Sequence, residues 1–226
     1  MKYTNIVEGK FIERPNRFIA YCEVDGKTKT CHVKNTGRCR ELLVKGARVL
    51  LEKSENEKRK TPYDLVSVYK GERLINMDSQ APNKMFGEFV SEGKFINGVK
   101  LIKPEFTYGN SRIDFYIETE SKKILAEVKG VTLEKDNAVY FPDAPTERGV
   151  KHIEELIKAK EEGFEVYIIF VTQMKDVSFF SPNRITHPEF AEKLIEAQNK
   201  GVNIKCYDCD VKVGEVKING EVEVRL

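Results

Sequence analysis

No stretch of this sequence reaches the roughly 18 consecutive apolar residues of a membrane span, and MKYTNIVEGK at its start lacks the apolar segment of a secretory signal. The expectation is a cytoplasmic protein with no membrane partner. Cysteine is sparse and odd in number, five in 226 residues, which argues against a disulfide framework and for a reducing compartment. Cys206 and Cys209 in CYDC have zinc spacing, but no second CxxC or HxxxH pattern follows, so ordinary reduced thiols are expected. The sequence also lacks an internal repeat, a glycine-rich nucleotide loop and a Ser-His-Asp order. These absences remove solenoids, nucleotide-loop enzymes and triad hydrolases from consideration.

What is present is ample core material, with 40% hydrophobic residues, and a charge distribution that divides the chain. Residues 1–80 hold 17 Lys or Arg against 11 Asp or Glu, while the remainder holds 21 against 25, so a basic part precedes an acidic one. The excess concentrates in GKTKTCHVKNTGRCRELLVKGAR, where Lys27, Lys29, Lys34, Arg38, Arg40, Lys45 and Arg48 face only Glu41. Such a cluster suits phosphate binding with salt-dependent affinity; alone, it also fits a solvated basic surface.

The basic part reads as five short strands between turn signals: RFIAYCEVDG, KTKTCHV, ARVLLEK, DLVSVYKG and ERLINMD. That count fits a small β-barrel of oligonucleotide-binding type over residues 1–80. APNKMFGEFVSEG then switches to helical spacing through Met85, Phe86, Phe89 and Val90, with a proline in its first turn. From there to residue 226 the order is three strands, helix, strand, helix, strand. The solid apolar run VYIIFV lies between amphipathic helices that end at Gly163 and Gly201, the pattern of a buried central strand. The fold class is α/β (α+β overall): a barrel followed by a mixed sheet flanked by helices.

RIDFYIETESKKILAEVKG carries charges inside an otherwise apolar run. Alternation puts Glu127 and Lys129 on one side of their strand, and a hairpin through ETESKK brings Asp114 alongside. Adjacent carboxylates repel unless a cation neutralises them, and a hard divalent ion does so with oxygen ligands. Mg²⁺, with Mn²⁺ as an alternative, would then supply a water nucleophile for phosphodiester cleavage, assisted by Lys129. A cross-strand salt bridge is the competing explanation.

Asp114, twelve intervening residues, then Glu127-x-Lys129 resembles the PD-(D/E)xK nuclease superfamily. The resemblance implies a restriction-endonuclease-like sheet, with metal held by Asp114, Glu127 and the backbone carbonyl of Val128, Lys129 assisting water, and Glu88 added from the preceding helix. A closer resemblance runs along nearly the whole chain: NTGRCRELL, SRIDFYIE, EVKGVTLEKDNAVYFPDAPTERGVKHIEEL and HPEFAEKL resemble the sugar fermentation stimulation protein A family. It implies an oligonucleotide-binding-type barrel, a nuclease-like second domain, DNA as partner and a link to sugar-utilisation genes. Lys45 and Cys39 stand where that family's pattern suggests Pro and Met.

In TERGVKHIEEL, Thr146 is a helix cap, Val150, Ile153, Leu156 and Ile157 form the apolar stripe, and Glu147, Arg148, Lys151 and His152 fall on the polar side. Arg148 and Lys151 are placed to meet phosphate, and YFPDAP with Asp143 forms part of the cleft wall. The DNA-contact set is therefore Lys29, Lys34, Asn35, Arg38, Arg40, Arg48, Arg148 and Lys151. Three functions remain open: a Mg²⁺-dependent nuclease, a DNA-binding regulator that does not use its nuclease fold, and an interaction protein with a structural ion-pair cluster. Nothing in the sequence fixes an oligomeric state.

Overall fold

The computed structural model describes residues 1–35, 37–56, 58–109 and 111–226; Thr36 of the NTGRCRELL stretch lies outside them. The first unit contains β1 (Ile6–Glu13), β2 (Ile19–Val24), β3 (Lys27–Val33), β4 (Arg48–Lys53), β5 (Tyr63–Lys70) and β6 (Arg73–Asn76). The order β3-β2-β1-β4-β5 closes on itself because β3 also pairs with β5, giving a five-stranded barrel. Five was the expected number, but the membership differs. IVEGKFIE forms β1, and ERLINMD supplies β6, which pairs with β5 outside the closed ring. The sequence does not read β1 as a strand because Gly9 and scattered charges break its pattern. That glycine is a packing requirement: a Cβ there would lie 2.8 Å from the Glu23 carbonyl oxygen across the barrel wall.

The second unit begins with α1 (Ala81–Ser91), then β7 (Leu101–Tyr108), β8 (Ser111–Glu118), β9 (Lys123–Val131), β10 (Leu133–Lys135) and β11 (Ala138–Phe141). It continues through α2 (Glu147–Glu161), β12 (Glu165–Thr172), β13 (Phe179–Pro182), α3 (Pro188–Asn199), β14 (Asn203–Lys212) and β15 (Glu215–Val224). The nine strands form one mixed sheet in the order β10-β11-β13-β15-β14-β12-β9-β8-β7. This is a restriction-endonuclease-like sheet with helices on both faces. Among the described residues, no helix is long and apolar enough to cross a membrane.

Alternation along β12 shows why its sequence is apolar throughout. Ile168 and Phe170 enter the core under α2 and α3, while Ile169 and Val171 enter the one under α1. Gly163 and Gly201 follow α2 and α3 with φ of +94° and +85°, as helix-terminating glycines do. Four strands are absent from the sequence expectation: β10, β11, β13 and β15. Three have at most four residues, and β15 alternates with charged residues, so none presents an apolar run.

Buried polar groups lock the two units together. The Gln173 amide donates to Asn76 Oδ1 at 2.8 Å and to the Asp78 carbonyl at 2.9 Å, while the Asn76 amide donates to Tyr3 Oη at 2.9 Å. Lys70 of the barrel pairs with Glu134 of β10. The first residues belong spatially to the second unit, since Tyr3 N–H donates to the Gly214 carbonyl and Val216 N–H to that of Met1. Replacing Gln173 with Ala leaves two buried acceptors short of a donor, which should cost about 2–4 kcal/mol. Urea unfolding measures this, and a loss under ~0.5 kcal/mol would remove the network as a clamp.

Candidate metal centre and nucleic-acid interface

β8 and β9 pair as the expected hairpin, from Glu118↔Lys123 to Phe115↔Ala126, and there the ladder stops. On the other side of β8 the register runs from Pro104↔Phe115 to Phe106↔Ile113, passing over Glu105 and Asp114, and Glu105 takes φ +52°. Asp114 thus sits in an interruption of both ladders. Carboxylates fill the gap: Val128 N–H donates to Asp114 Oδ2 at 2.8 Å, and Asp114 N–H points to Glu127 Oε2 at 3.4 Å.

Along β9, Ile124, Ala126 and Val128 join the core beneath α1, whereas Leu125 joins the core of α2 and α3. Glu127 and Lys129 share the Leu125 side and project towards α2. Glu127 is only 2% exposed, and its Oε1 accepts from Lys129 Nζ at 2.6 Å and from His152 Nδ1 on α2. Arg148 Nε donates to His152 Nε2 at 3.3 Å. A guanidinium can only donate, so Nε2 is the acceptor and Nδ1 carries the proton offered to Glu127. Asn83 of α1 donates to Asp114 Oδ1 at 2.9 Å from the opposite layer.

These contacts separate the two acids. Burial alone would raise Glu127, but the hydrogen bonds from His152 and Lys129 and the Lys129 charge outweigh it and hold the carboxyl below its ordinary range. Burial and the Glu127 charge push Asp114 upward, against the Val128 N–H, Lys129 and Asn83. A cavity of about 480 Å³ opens over the pair and is lined also by Ser79, Asn83, Val128, Lys129 and Arg148. Among the described residues, no three His, Cys, Asp or Glu side chains are arranged to hold an ion. Asp114, Glu127 and the Val128 carbonyl would therefore be completed by water, a donor set suited to Mg²⁺, which commonly takes one or two carboxylates and retains several waters.

Two side chains of this centre differ from the sequence expectation. His152, assigned to the exposed polar side, is buried on Glu127. Its spacing held the clue, because it precedes Leu156 by one helical turn and borders the apolar stripe. Asn83 supplies the contact from α1, and no feature of the sequence separates it from an ordinary polar residue in a first helical turn. Glu88 is not brought to the centre: it is exposed and accepts from the Met1 ammonium at 2.6 Å. Five residues beyond Asn83, it is turned by about 140° around the helix.

The basic set divides similarly. Lys34 is half-buried within 3.3 to 3.7 Å of Asp64, Glu52 and Asp78, so its charge is committed inside the protein. Burial alone would lower its ammonium, but Asp78 and Asp64 outweigh this and hold it above its usual range. Asn35 builds its loop, accepting from Gly37 N–H and donating to the Met77 carbonyl. Arg48 lies over the Tyr69 ring beside Glu8, on a face of mixed charge. Arg38 and Arg40 are exposed, and Arg38 N–H donates to Asp143 Oδ2, tying the barrel loop to the YFPDAP segment. Ser79 Oγ donates to the Lys34 carbonyl and also lines the acidic cavity, so this loop adjoins the cleft. Lys29 is half-buried on β3 and Lys151 is exposed on α2; Thr146 caps α2 by accepting from Gly149 N–H. Cys206 and Cys209 are buried free thiols whose pKa values burial raises.

Residues 12–77 match the family described as the SfsA N-terminal OB domain, and residues 80–215 match the sugar fermentation stimulation protein RE domain. Sugar fermentation stimulation protein homologs of Ruminiclostridium cellulolyticum and Clostridium beijerinckii are 58% and 56% identical over 226 residues, covering 100% of both chains in each case. The solved structure of Pyrococcus furiosus SfsA in complex with Ca²⁺ is 28% identical, with a TM-score of 0.91 over 100% of this chain and 98% of that one.

Asp114→Asn should stabilise the apo protein at neutral pH. The raised pKa means that folding favours the protonated acid, so the ionised form opposes folding above that pKa. The amide keeps an acceptor for Val128 N–H without the charge. Its gain in Tm should disappear once pH falls below the ordinary carboxylate range, where Asp114 is neutral folded or unfolded. A lower Tm at neutral pH would contradict this account.

Proposed function

The chain belongs to the sugar fermentation stimulation protein family, and from that premise we propose a DNA-binding protein whose second unit carries a Mg²⁺-dependent phosphodiesterase site, with Mn²⁺ as a substitute ion. One observation carries the reading: Asp114 and Glu127 converge in the wall of an open cavity, although burial and mutual repulsion disfavour ionised Asp114 there. Asp114, Glu127 and the Val128 carbonyl are the residues to hold the ion. The Ca²⁺ complex of the Pyrococcus furiosus relative supports a divalent cation. When bound, such an ion supplies an activated water and neutralises phosphate charge.

The protein's own groups position that chemistry. His152 and Lys129 both hold Oε1 of Glu127, which leaves Oε2 directed towards Asp114. Lys129 lies on the same wall and can orient a water or meet a phosphate oxygen. Arg148 and Lys151 lie one helical turn or less apart and provide charge for a neighbouring phosphate. Arg38 and Arg40 supply the barrel's grip, with Lys29 as a further contact, and the protein acts in the cytoplasm.

The 2.6 Å contact of Lys129 with Glu127 favours a second reading, a DNA-binding regulator of sugar-utilisation genes without cleavage, because it commits the motif lysine to an ion pair. Calorimetric Mn²⁺ titration and cleavage of plasmid DNA separate the two. The first reading expects divalent binding that weakens by more than about 100-fold in Glu127→Gln, since losing an outer-shell contact alone costs 10–100-fold. It also expects affinity to fall on acidification from a higher pH than at an ordinary carboxylate, because a proton competes at the raised Asp114. Absence of divalent binding with DNA present would sink it, whereas binding without cleavage would favour the regulator.

The double variant Arg38→Ala/Arg40→Ala should weaken DNA binding for all sequences and reduce the salt slope by about one per lost phosphate contact. Unchanged affinity and slope in the folded variant would remove this loop from the interface.

A further inference from the structure

Gly87 is unexplained by the fold. It lies inside α1, where glycine is less favourable than alanine, and its φ is not in the left-handed region. Space does not demand it either. A Cβ at Gly87 would meet ring carbons of Phe115 at 3.4 and 3.5 Å, ordinary van der Waals contact. An alanine would therefore fit and strengthen the helix.

The missing side chain opens onto a second cavity of about 440 Å³ between α1 and β7. Asn83 and Gly87 lie one turn apart on α1, as do Gln80 and Lys84, so these four residues form one wall. Phe115 and Pro104 form the other. This trough shares Ser79, Asn83, Glu105 and Asp114 with the acidic cavity, so the two are continuous. Asn83 joins them directly, because its amide donates to Asp114 Oδ1 while the residue lines both cavities.

We propose that this trough receives one unstacked nucleoside of a nucleic-acid strand whose adjoining phosphate lies at the acidic centre. The inference rests on the DNA reading above and adds a preference for an unpaired nucleotide. An apolar wall of Gly87, Phe115 and Pro104 suits the face of a base. The carboxamides of Gln80 and Asn83 and the carboxylate of Glu105 suit its donor and acceptor edge. Lys84 is exposed at the rim, where the strand's next phosphate would pass. The volume is that of a small-ligand site and suits a single nucleoside better than a base pair.

The test uses the full chain in Ca²⁺, with electrophoresis verifying that the DNA remains intact. The probes are a 12-nucleotide single strand bearing a central 2-aminopurine and its fully paired duplex, compared for the unaltered protein, Gly87→Ala and Gly87→Leu. Gly87→Ala should raise Tm by a few degrees yet weaken single-strand binding about tenfold, and Gly87→Leu should weaken it further. Duplex affinity should change less than twofold, and the fluorescence change on single-strand binding should be lost with affinity. Folded variants that bind the single strand as well as the unaltered protein would overturn the proposal. Equal losses for duplex and single strand would also overturn it, because the trough would then hold backbone rather than an unstacked base. If the unaltered protein binds neither probe, the DNA reading fails and the trough proposal falls with it. Binding by the unaltered protein that survives both substitutions defeats the trough proposal alone.

Discussion

The second unit is organised around an exchange between two strands that have stopped pairing normally. Val128 N–H donates to the Asp114 side chain and Asp114 N–H turns to the Glu127 side chain, so each carboxylate faces the other strand's amide. In a regular hairpin these amides would face carbonyls, and the acids would have no reason to converge. The interruption requires Glu105 to leave the β region opposite Asp114, and it requires the Lys129 ammonium and the His152 N–H nearby to make a buried Glu127 tolerable. Those requirements draw in helices from both faces of the sheet. Asn83 reaches the gap from α1, and His152 reaches it from α2.

The barrel is held to this arrangement through buried groups with few alternative partners. Gln173 follows β12, which lies next to β9, and its amide satisfies Asn76 at the end of β6. Ser79 then links the Lys34 carbonyl to the cleft, while Asp143 receives Arg38 N–H from the same loop. The barrel loop that carries Arg38 and Arg40 is thereby anchored at two places beside an acidic cavity. Swinging the barrel away would expose unpaired amide and carboxamide groups, so the geometry favours a fixed interface over a mobile tether.

Legibility in the sequence followed the length and purity of each pattern. VYIIFV and the two amphipathic helices fixed the central layers because a solid apolar run admits few placements. The Asp114, Glu127 and Lys129 grouping was readable because strand alternation is nearly independent of context. Barrel membership was less readable: Gly9 and charges obscured β1, whereas β6 has strand composition without being part of the closed ring. The sequence does not place His152, because a histidine bordering a stripe can face either way until its partner is known. Asn83 depends on the meeting of two distant segments, which local periodicity does not encode. The family resemblance carried the overall architecture across these gaps, but it did not reveal the ladder interruption that creates the acidic pair.

The same distinction governs the basic half. Counting charges treats every lysine and arginine as available to phosphate, but folding uses some of them internally. Lys34 is occupied by three carboxylates, and Arg14 donates to the carbonyls of Arg17, Asn35, Gly37 and Arg38. Those internal cations shape the loop on which Arg38 and Arg40 remain exposed. Positive charge therefore works at two levels: half-buried cations hold the loop together, and Arg38 and Arg40 stay exposed on it. If the loop grips DNA as proposed, removing an internal cation would alter binding by disturbing the loop, whereas removing an exposed one would act directly on counterion release. A salt-slope measurement distinguishes these effects, because loop disorder and a lost phosphate contact can lower affinity equally without changing its salt dependence equally.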